Sequence, residues 1–258
     1  VVSDLLDRPL SLKHGIRLTL GTDLFIYALA RLGARRLQKI DPQVPEPVRW
    51  TQKNAELKPL SIEHHMAITR FMTFAAERCA AHPDATLRYA DEIIDHSQRP
   101  AGQGLANIIR ADVKWHINGR SEGTAPDQIF ALDVDDERQY FFLEIDEGSE
   151  TVEPGDRRRR SMRFWRDTSL LRKFLIYSAA FRAGEHKRQF GIPVFRVLTV
   201  TTSPERIETM QEAYRNHLIS GQNKTTPGLL LFTDWDALAA SQDGLVVVNA
   251  AGRKVRLI

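Results

Sequence analysis

The 258-residue sequence predicts an α/β protein. Three observations carry that prediction. A helix with one apolar face opens near Ser61, strand-like runs fill the middle of the chain, and a second helix near Thr168 leads into the strand Val194–Thr201. Helix, three strands, helix and strand in that order is an α/β layout. Between the helices, Pro126–Glu150 holds two short apolar runs around a charged turn, with carboxylates where the runs meet their ends.

The elements follow in order. Leu18–Tyr27 reads as two short strands about a Gly-Thr-Asp turn, and Ala28–Leu37 has helical spacing interrupted by Gly33. A hairpin joined to a helix suits part of a winged helix, so residues 1–40 are expected to be a winged-helix remnant; an irregular cap on the main domain is the plain alternative. Residues 41–60 carry Pro42, Pro45, Pro47 and Pro59 and read as a linker. Residues 61–258 are then expected to form the main α/β domain. Ser61 can cap its first helix, whose apolar positions Ile62, Met66, Ile68, Phe71, Met72, Phe74 and Ala75 are expected to bury one face, and His82-Pro83 ends it. Asp91–Asp95 is a short element of either type. Ala111–Ile117, Gln128–Val134 and Tyr140–Ile145 are the three strands, the last two joined by the turn Asp135-Asp136-Glu137-Arg138. Thr168–Ala183 is a helix. Ser203 and Pro204 open another, running to about Ile219. Gly228–Thr233 is a buried strand, Asp236–Ala240 a helical turn, and Val246–Leu257 a hairpin.

Bulk properties narrow the function. Hydrophobic content of 42% and charged content of 27% are ordinary for a water-soluble domain. One cysteine, Cys79, excludes an internal disulfide framework and cysteine-rich zinc sites. No apolar run reaches membrane-span length and the start is not a signal peptide, so a cytoplasmic location without membrane contact is expected. Net charge is +3, but it is unevenly spread. Asp133–Asp156 is acidic. The next segment carries Arg157, Arg158, Arg159, Arg160, Arg163, Arg166, Arg172 and Lys173, opposed only by Asp167. A basic flank beside an acidic cluster suits an enzyme that holds phosphates with one and metal with the other; a solvated charged face is the bland alternative.

The carboxylates give the sharpest expectation. Residues i and i+2 of a strand share a face, which puts Glu144 and Asp146 together. Asp127 opens the partner strand and can join them. Three converging carboxylates repel unless a cation lies between them. Oxygen ligands of this kind suit Mg²⁺ or Mn²⁺, which can activate water against a phosphodiester. Glu144 stands inside the apolar run Phe141-Phe142-Leu143-Glu144-Ile145, where an unpaired charge costs several kcal/mol. The ordinary alternatives are a turn for Pro126-Asp127, a salt bridge for Glu144 and a loop hydrogen bond for Asp146. Glu147 points away, and Glu150 is solvated or reaches back to the site. No glycine-rich phosphate loop and no local Ser/His/Asp pattern is present.

Several segments together resemble the replication-relaxation family of plasmid and mobile-element proteins: Tyr27–Ala34, Glu63–Ile68, Pro126-Asp127, Phe142–Glu150 and Arg172–Tyr177. The resemblance implies a restriction-endonuclease-like core preceded by part of a winged helix. In that fold a Pro-Asp acid sits on the second core strand and a Glu/Asp-x-Lys triplet on the third. Asp127 and Glu144-Ile145-Asp146 match, with Asp146 in the lysine position. Some relatives are C-class relaxases, thought to nick a transfer origin with metal-binding acids. By resemblance the metal ligands are Asp127, Glu144 and Asp146. Lys173 is a catalytic lysine moved to the following helix, and His64 is a base or metal contact. Tyr177 contacts phosphate or water, and the arginines from Arg157 to Arg166 grip the DNA backbone. By the same resemblance, the start of the given sequence is expected to carry only the end of the winged helix. The implied partners are plasmid origin DNA, relaxosome proteins and a second copy of the chain. A non-catalytic DNA-binding accessory with a degenerate nuclease fold is the competing expectation, and a relaxosome docking module a third.

Overall fold

A computed structural model describes residues 6–7, 28–29, 31–40, 59–94, 111–113, 122–153, 168–219, 228–241 and 244–258. The chain divides into two compact units, Val1–Thr69 and Arg70–Ile258.

In the first unit, β1 (Leu6–Asp7) pairs antiparallel with β2 (Ala28–Leu29), Leu6 opposite Leu29. Helix α1 (Arg31–Ile40) follows. The helix expected from Ala28 thus begins three residues later, after a strand. The expected Leu18–Tyr27 hairpin and most of the proline-rich segment lie outside the described residues. Helix α2 (Pro59–Ala81) starts in this unit and ends in the second. It begins two residues before Ser61, with Pro59 in the first turn, where a missing N–H costs nothing. His82 N closes on the Cys79 carbonyl at its end.

The second unit is built on one seven-stranded sheet. Its strands are β3 (Ala85–Tyr89), β6 (Gln128–Val134), β7 (Glu137–Ile145), β8 (Arg196–Thr201), β9 (Leu230–Asp234), β10 (Val246–Asn249) and β11 (Lys254–Arg256). In space they run 3-6-7-8-9-10-11. β6 is antiparallel to β3 and β7, while β7, β8 and β9 are mutually parallel. The parallel steps need crossovers, and helices supply them. α4 (Leu170–Ala183) and α5 (Glu185–Phe190) link β7 to β8, and α6 (Pro204–Ile219) links β8 to β9. The short helices α3 (Ala90–Ile93) and α7 (Trp235–Ala240) follow β3 and β9.

The order helix, strands, helix, strand is therefore present, with one substitution. The first core strand is β3. Ala111–Val113 (β4) instead pairs with Glu122–Thr124 (β5) in a separate two-stranded sheet, and residues 114–117 of that expected strand lie outside the described residues. The β6–β7 turn is also tighter than expected. Asp135 and Asp136 alone make it, with φ of 50° and 65°, the left-handed pair that matches the twist of a two-residue hairpin.

Helices cover both faces of the sheet. Phe71 of α2 packs on Phe130, which stacks on Phe141. On the opposite face Phe142 stacks on Phe195 at 4.2 Å and meets Tyr177 of α4, while Met210 and Tyr214 of α6 join the same cluster. β7 is thus buried on both sides, which is why Phe141-Phe142-Leu143 is a continuous apolar run and not an alternating one. No described helix is long and apolar enough to cross a membrane.

Candidate functional site: a carboxylate row at the exit of the central strands

The pairing Gln128↔Leu143 puts Asp127 level with Glu144, and Glu144 lies opposite Thr199 of β8. Asp127 is anchored at both ends of its residue: its N–H donates to the Leu143 carbonyl at 2.9 Å, and its Oδ2 accepts from Ile145 N–H at 2.7 Å. The Pro-Asp pair is therefore a strand continuation bonded across to β7.

Glu144 is 1% exposed. Being almost wholly buried on a strand covered on both faces, it must find partners in the protein. It finds them on α4. Lys173 Nζ donates to Glu144 Oε2 at 3.0 Å, and the Tyr177 hydroxyl donates to Oε1 in a short hydrogen bond. Residues 173 and 177 are one helical turn apart and share a face, so one helix delivers both donors. Ser169 caps α4 by accepting from Arg172 N–H, and Leu170 and Leu171 N–H bond to Thr151 and Val152 carbonyls. The β7 exit loop thereby fixes the start of the helix that carries Lys173.

Burial pushes the Glu144 carboxyl up to about 7, against the pull of Lys173 and with a further push from nearby Asp127. On Lys173 the balance runs the other way. Burial disfavours its charge, but Glu144 and Glu150 together outweigh burial and hold the ammonium above its usual range. Tyr177 is driven well above the usual phenol range, by burial first and then by Glu144. The pair is thus a firmly protonated lysine beside a carboxyl that changes charge near neutrality.

Glu150 belongs to this cluster: its Oε2 is 3.0 Å from Lys173 Nζ. Glu147 is exposed. Asp146 sits just past the end of β7, and although almost fully buried it makes a separate ion pair. Arg206 of α6 grips it through Nε and through Nη2, the latter at 2.8 Å from Oδ1. Thr201 Oγ1 donates to Oδ2 at 2.5 Å and Gly148 N–H to Oδ1 at 3.2 Å. The cations demanded by the carboxylate repulsion are therefore present in the protein as Lys173 and Arg206.

A magnesium-type cation is usually held by one or two carboxylates plus phosphate oxygens, without a full protein cage. Asp127 and Glu144, level with each other on adjacent strands, are the pair such a cation would use, and it would have to displace Lys173 or Tyr177 from Glu144, whose two oxygens are both engaged. Asp146 is likewise engaged at both oxygens, by Arg206 and Thr201 on one and Arg206 and Gly148 on the other. Among the described residues no group of three or more His, Cys, Asp or Glu side chains is arranged to hold a metal ion.

Of the other expected site residues, Tyr177 is fully buried, with its hydroxyl on Glu144. His64 lies on the first half of α2, in the N-terminal unit. Arg157, Arg158, Arg159, Arg160, Arg163 and Arg166 lie outside the described residues. Sequence reading missed Arg206 and Thr201, which no local motif ties to a residue more than fifty positions earlier. An open depression of about 830 Å³ lies elsewhere, toward the β6–β7 turn, lined by Arg88, Asp133, Asp135, Arg138 and Tyr140 among others. Its arginines are committed to Asp133, which Arg138 holds at 2.6 Å and Arg88 at 2.9 Å.

Comparison with known proteins gives one result. The family model described as Replication-relaxation matches residues 3–194. No curated protein and no solved structure matches the chain.

Proposed function

The chain belongs to the replication-relaxation family, and from that premise we propose that it is a DNA-processing protein of a plasmid or mobile element whose Asp127/Glu144/Lys173 cluster hydrolyses a phosphodiester with Mg²⁺ or Mn²⁺. Membership itself points to a DNA-processing role. The observation that carries the finer reading is Glu144: a fully buried carboxylate, level with Asp127 and held by Lys173 at 3.0 Å. Such an arrangement is costly for a fold to keep, and strongly shifted groups gather where chemistry is done.

The element order supports the restriction-endonuclease-like reading. A helix, three strands of the main sheet, a helix and a strand precede the parallel partner β9, with Asp127 immediately before the second of those strands and Glu144 on the third. In this reading Asp127 and Glu144 are the residues that hold the ion. When bound there, Mg²⁺ or Mn²⁺ supplies Lewis-acid polarisation of the phosphate and makes water more acidic. Lys173 offsets negative charge on the phosphate oxygens with an ammonium already fixed in place. Asp146 acts structurally, so the lysine absent from the strand triplet is supplied by α4. The arginine run after Glu153 grips the DNA backbone without reading its sequence. Relaxosome proteins and a second copy of the chain are the partners this reading admits.

One observation favours the accessory reading, in which the fold binds DNA without cutting it. Both buried acids already have cationic partners inside the protein, Lys173 for Glu144 and Arg206 for Asp146. Thermal melting separates the two. A ligand that binds only the folded state raises the melting temperature with its concentration. The hydrolytic reading predicts a rise with Mn²⁺ or Mg²⁺ that disappears in Asp127→Ala. Salt-sensitive DNA binding with no response to either metal is the result that would select the accessory reading.

A further inference from the structure

The loop that leaves β7 is built around one side chain from a distant helix. Asp146 N–H bonds to the Val200 carbonyl at 2.8 Å, which ends the parallel ladder. Gly148 then takes a left-handed φ of 82° while its N–H returns to Asp146 Oδ1. That conformation is nearly strain-free only for glycine. Arg206 spans the loop it creates. Its Nε and Nη2 hold the Asp146 carboxylate, and the same Nη2 donates to the Glu150 carbonyl at 2.5 Å. Arg206 itself stands in the first turn of α6, its own N–H on the cap residue Ser203 at 3.3 Å. From the other end of the loop the Glu150 side chain reaches Lys173 at 3.0 Å. The contacts therefore run unbroken from Arg206 through the loop to Glu150, to Lys173 and to Glu144. Arg206 and Thr201 both lie beyond the residues matched by the family.

We propose that Arg206 is a positioning residue: by clamping the 146–150 loop to the start of α6 it holds Glu150 against the Lys173 ammonium and so sets where that ammonium stands relative to Glu144. The inference rests on the reading of Lys173 and Glu144 as the reactive pair. It assigns Arg206 no contact with substrate. The geometry needs arginine, because a planar fork can hold a carboxylate with two nitrogens and still reach a carbonyl, whereas a lysine offers one point of contact. Thr201 steadies the clamp by supplying a fourth donor to Asp146.

The test follows the Lys173 ammonium by nitrogen-15 lysine NMR on the whole chain. Its signal is assigned by its loss in Lys173→Arg, and its proton exchange with water is measured at neutral pH. Arg206→Met is expected to speed that exchange about tenfold, the factor implied by loss of one charge-assisted hydrogen bond. Arg206→Lys is expected to do the same, and it decides the matter if Arg206→Met does not fold. Glu150→Gln should match the effect, and the double variant Arg206→Met/Glu150→Gln should exceed neither single one, because both break one chain of contacts. The Leu198 amide, central in the sheet, should keep its protection throughout, which separates a local release from general loosening. Unchanged exchange in Arg206→Lys, additive effects in the double variant, or equal loss of protection at Leu198 would overturn the proposal. None of these readings needs metal, DNA or turnover. Fast exchange without any nicking activity keeps the clamp and discards the hydrolytic reading. Unchanged exchange with metal-dependent nicking does the reverse.

Discussion

Glu144 concentrates most of what is unusual about this molecule in one side chain. An ionised carboxylate in a dry interior costs several kcal/mol, and attraction to one lysine does not reliably offset that. The outcome is a carboxyl pushed to about 7 from an ordinary 4.5, chiefly by burial. The sign of the pH effect follows. Below about pH 4.5 the group is protonated whether the chain is folded or not. As pH rises from there the unfolded chain releases the proton while the folded chain keeps it, so stability falls until the folded group also titrates near 7. The total is on the order of 3 kcal/mol. In metal-free buffer, urea unfolding of wild type should therefore lose stability between about pH 5 and 7, and Glu144→Gln should flatten that slope. Equal slopes in the two proteins would mean that Glu144 stays ionised and owes nothing to burial. The sequence already contained this residue's oddity: a Glu inside Phe-Phe-Leu-Glu-Ile is legible as a charge in need of a partner. Lys173 and Tyr177 were legible too, as one face of one helix. Arg206 was not, because the contact that gives it meaning spans sixty residues and depends on how α6 returns to the sheet.

Among the elements, the β6–β7 hairpin shows how turn chemistry decides register. Asp135 and Asp136 both adopt positive φ, which costs an L-residue roughly 1 kcal/mol each. Aspartate tolerates this better than most residues, and glycine tolerates it best. Asp136→Gly should therefore stabilise the protein by about 0.5–1 kcal/mol, and Asp136→Val should destabilise it by more than that, both read from urea midpoints. A destabilised glycine variant would contradict this account of the turn. The expected four-residue turn is two residues long because Glu137 and Arg138 pair with Val134 and Asp133 and so extend the second strand back to Glu137, while the first ends at Val134 as expected. β3 escaped the sequence reading although Ala-Thr-Leu-Arg-Tyr alternates apolar and polar residues strictly. Five residues between a Pro-Asp turn and a short helix give a weak signal. Ala111–Ile117 has more apolar residues, and so took its place in the expected order. What assigns a strand to the main sheet is its partner, and β3 has the whole length of Ala85–Tyr89 paired against β6.

At the largest scale, the unit Arg70–Ile258 joins a seven-stranded sheet, helices on both of its faces and an acidic cluster at the exit of its central parallel strands. The α/β class and the alternation of helices with strands were legible because the helical and strand periods differ and prolines and glycines punctuate them. The extent of the sheet was not, since pairing partners are set by the crossovers. The position of the cluster agrees with a general feature of open α/β sheets, whose ligands gather beyond the carboxyl ends of parallel strands. The family of the chain points to a DNA-processing role, and the reaction proposed for this cluster is hydrolysis of a phosphodiester. The most direct test is nicking of supercoiled plasmid carrying the transfer or replication region of the element that encodes the protein, in Mg²⁺, in Mn²⁺ and in EDTA. Asp127→Ala and Glu144→Ala serve as controls. The account predicts open circles that require metal and vanish in both variants. Folded, DNA-bound protein that leaves the plasmid closed in every metal, or nicking that survives the loss of Asp127 and Glu144, would contradict it.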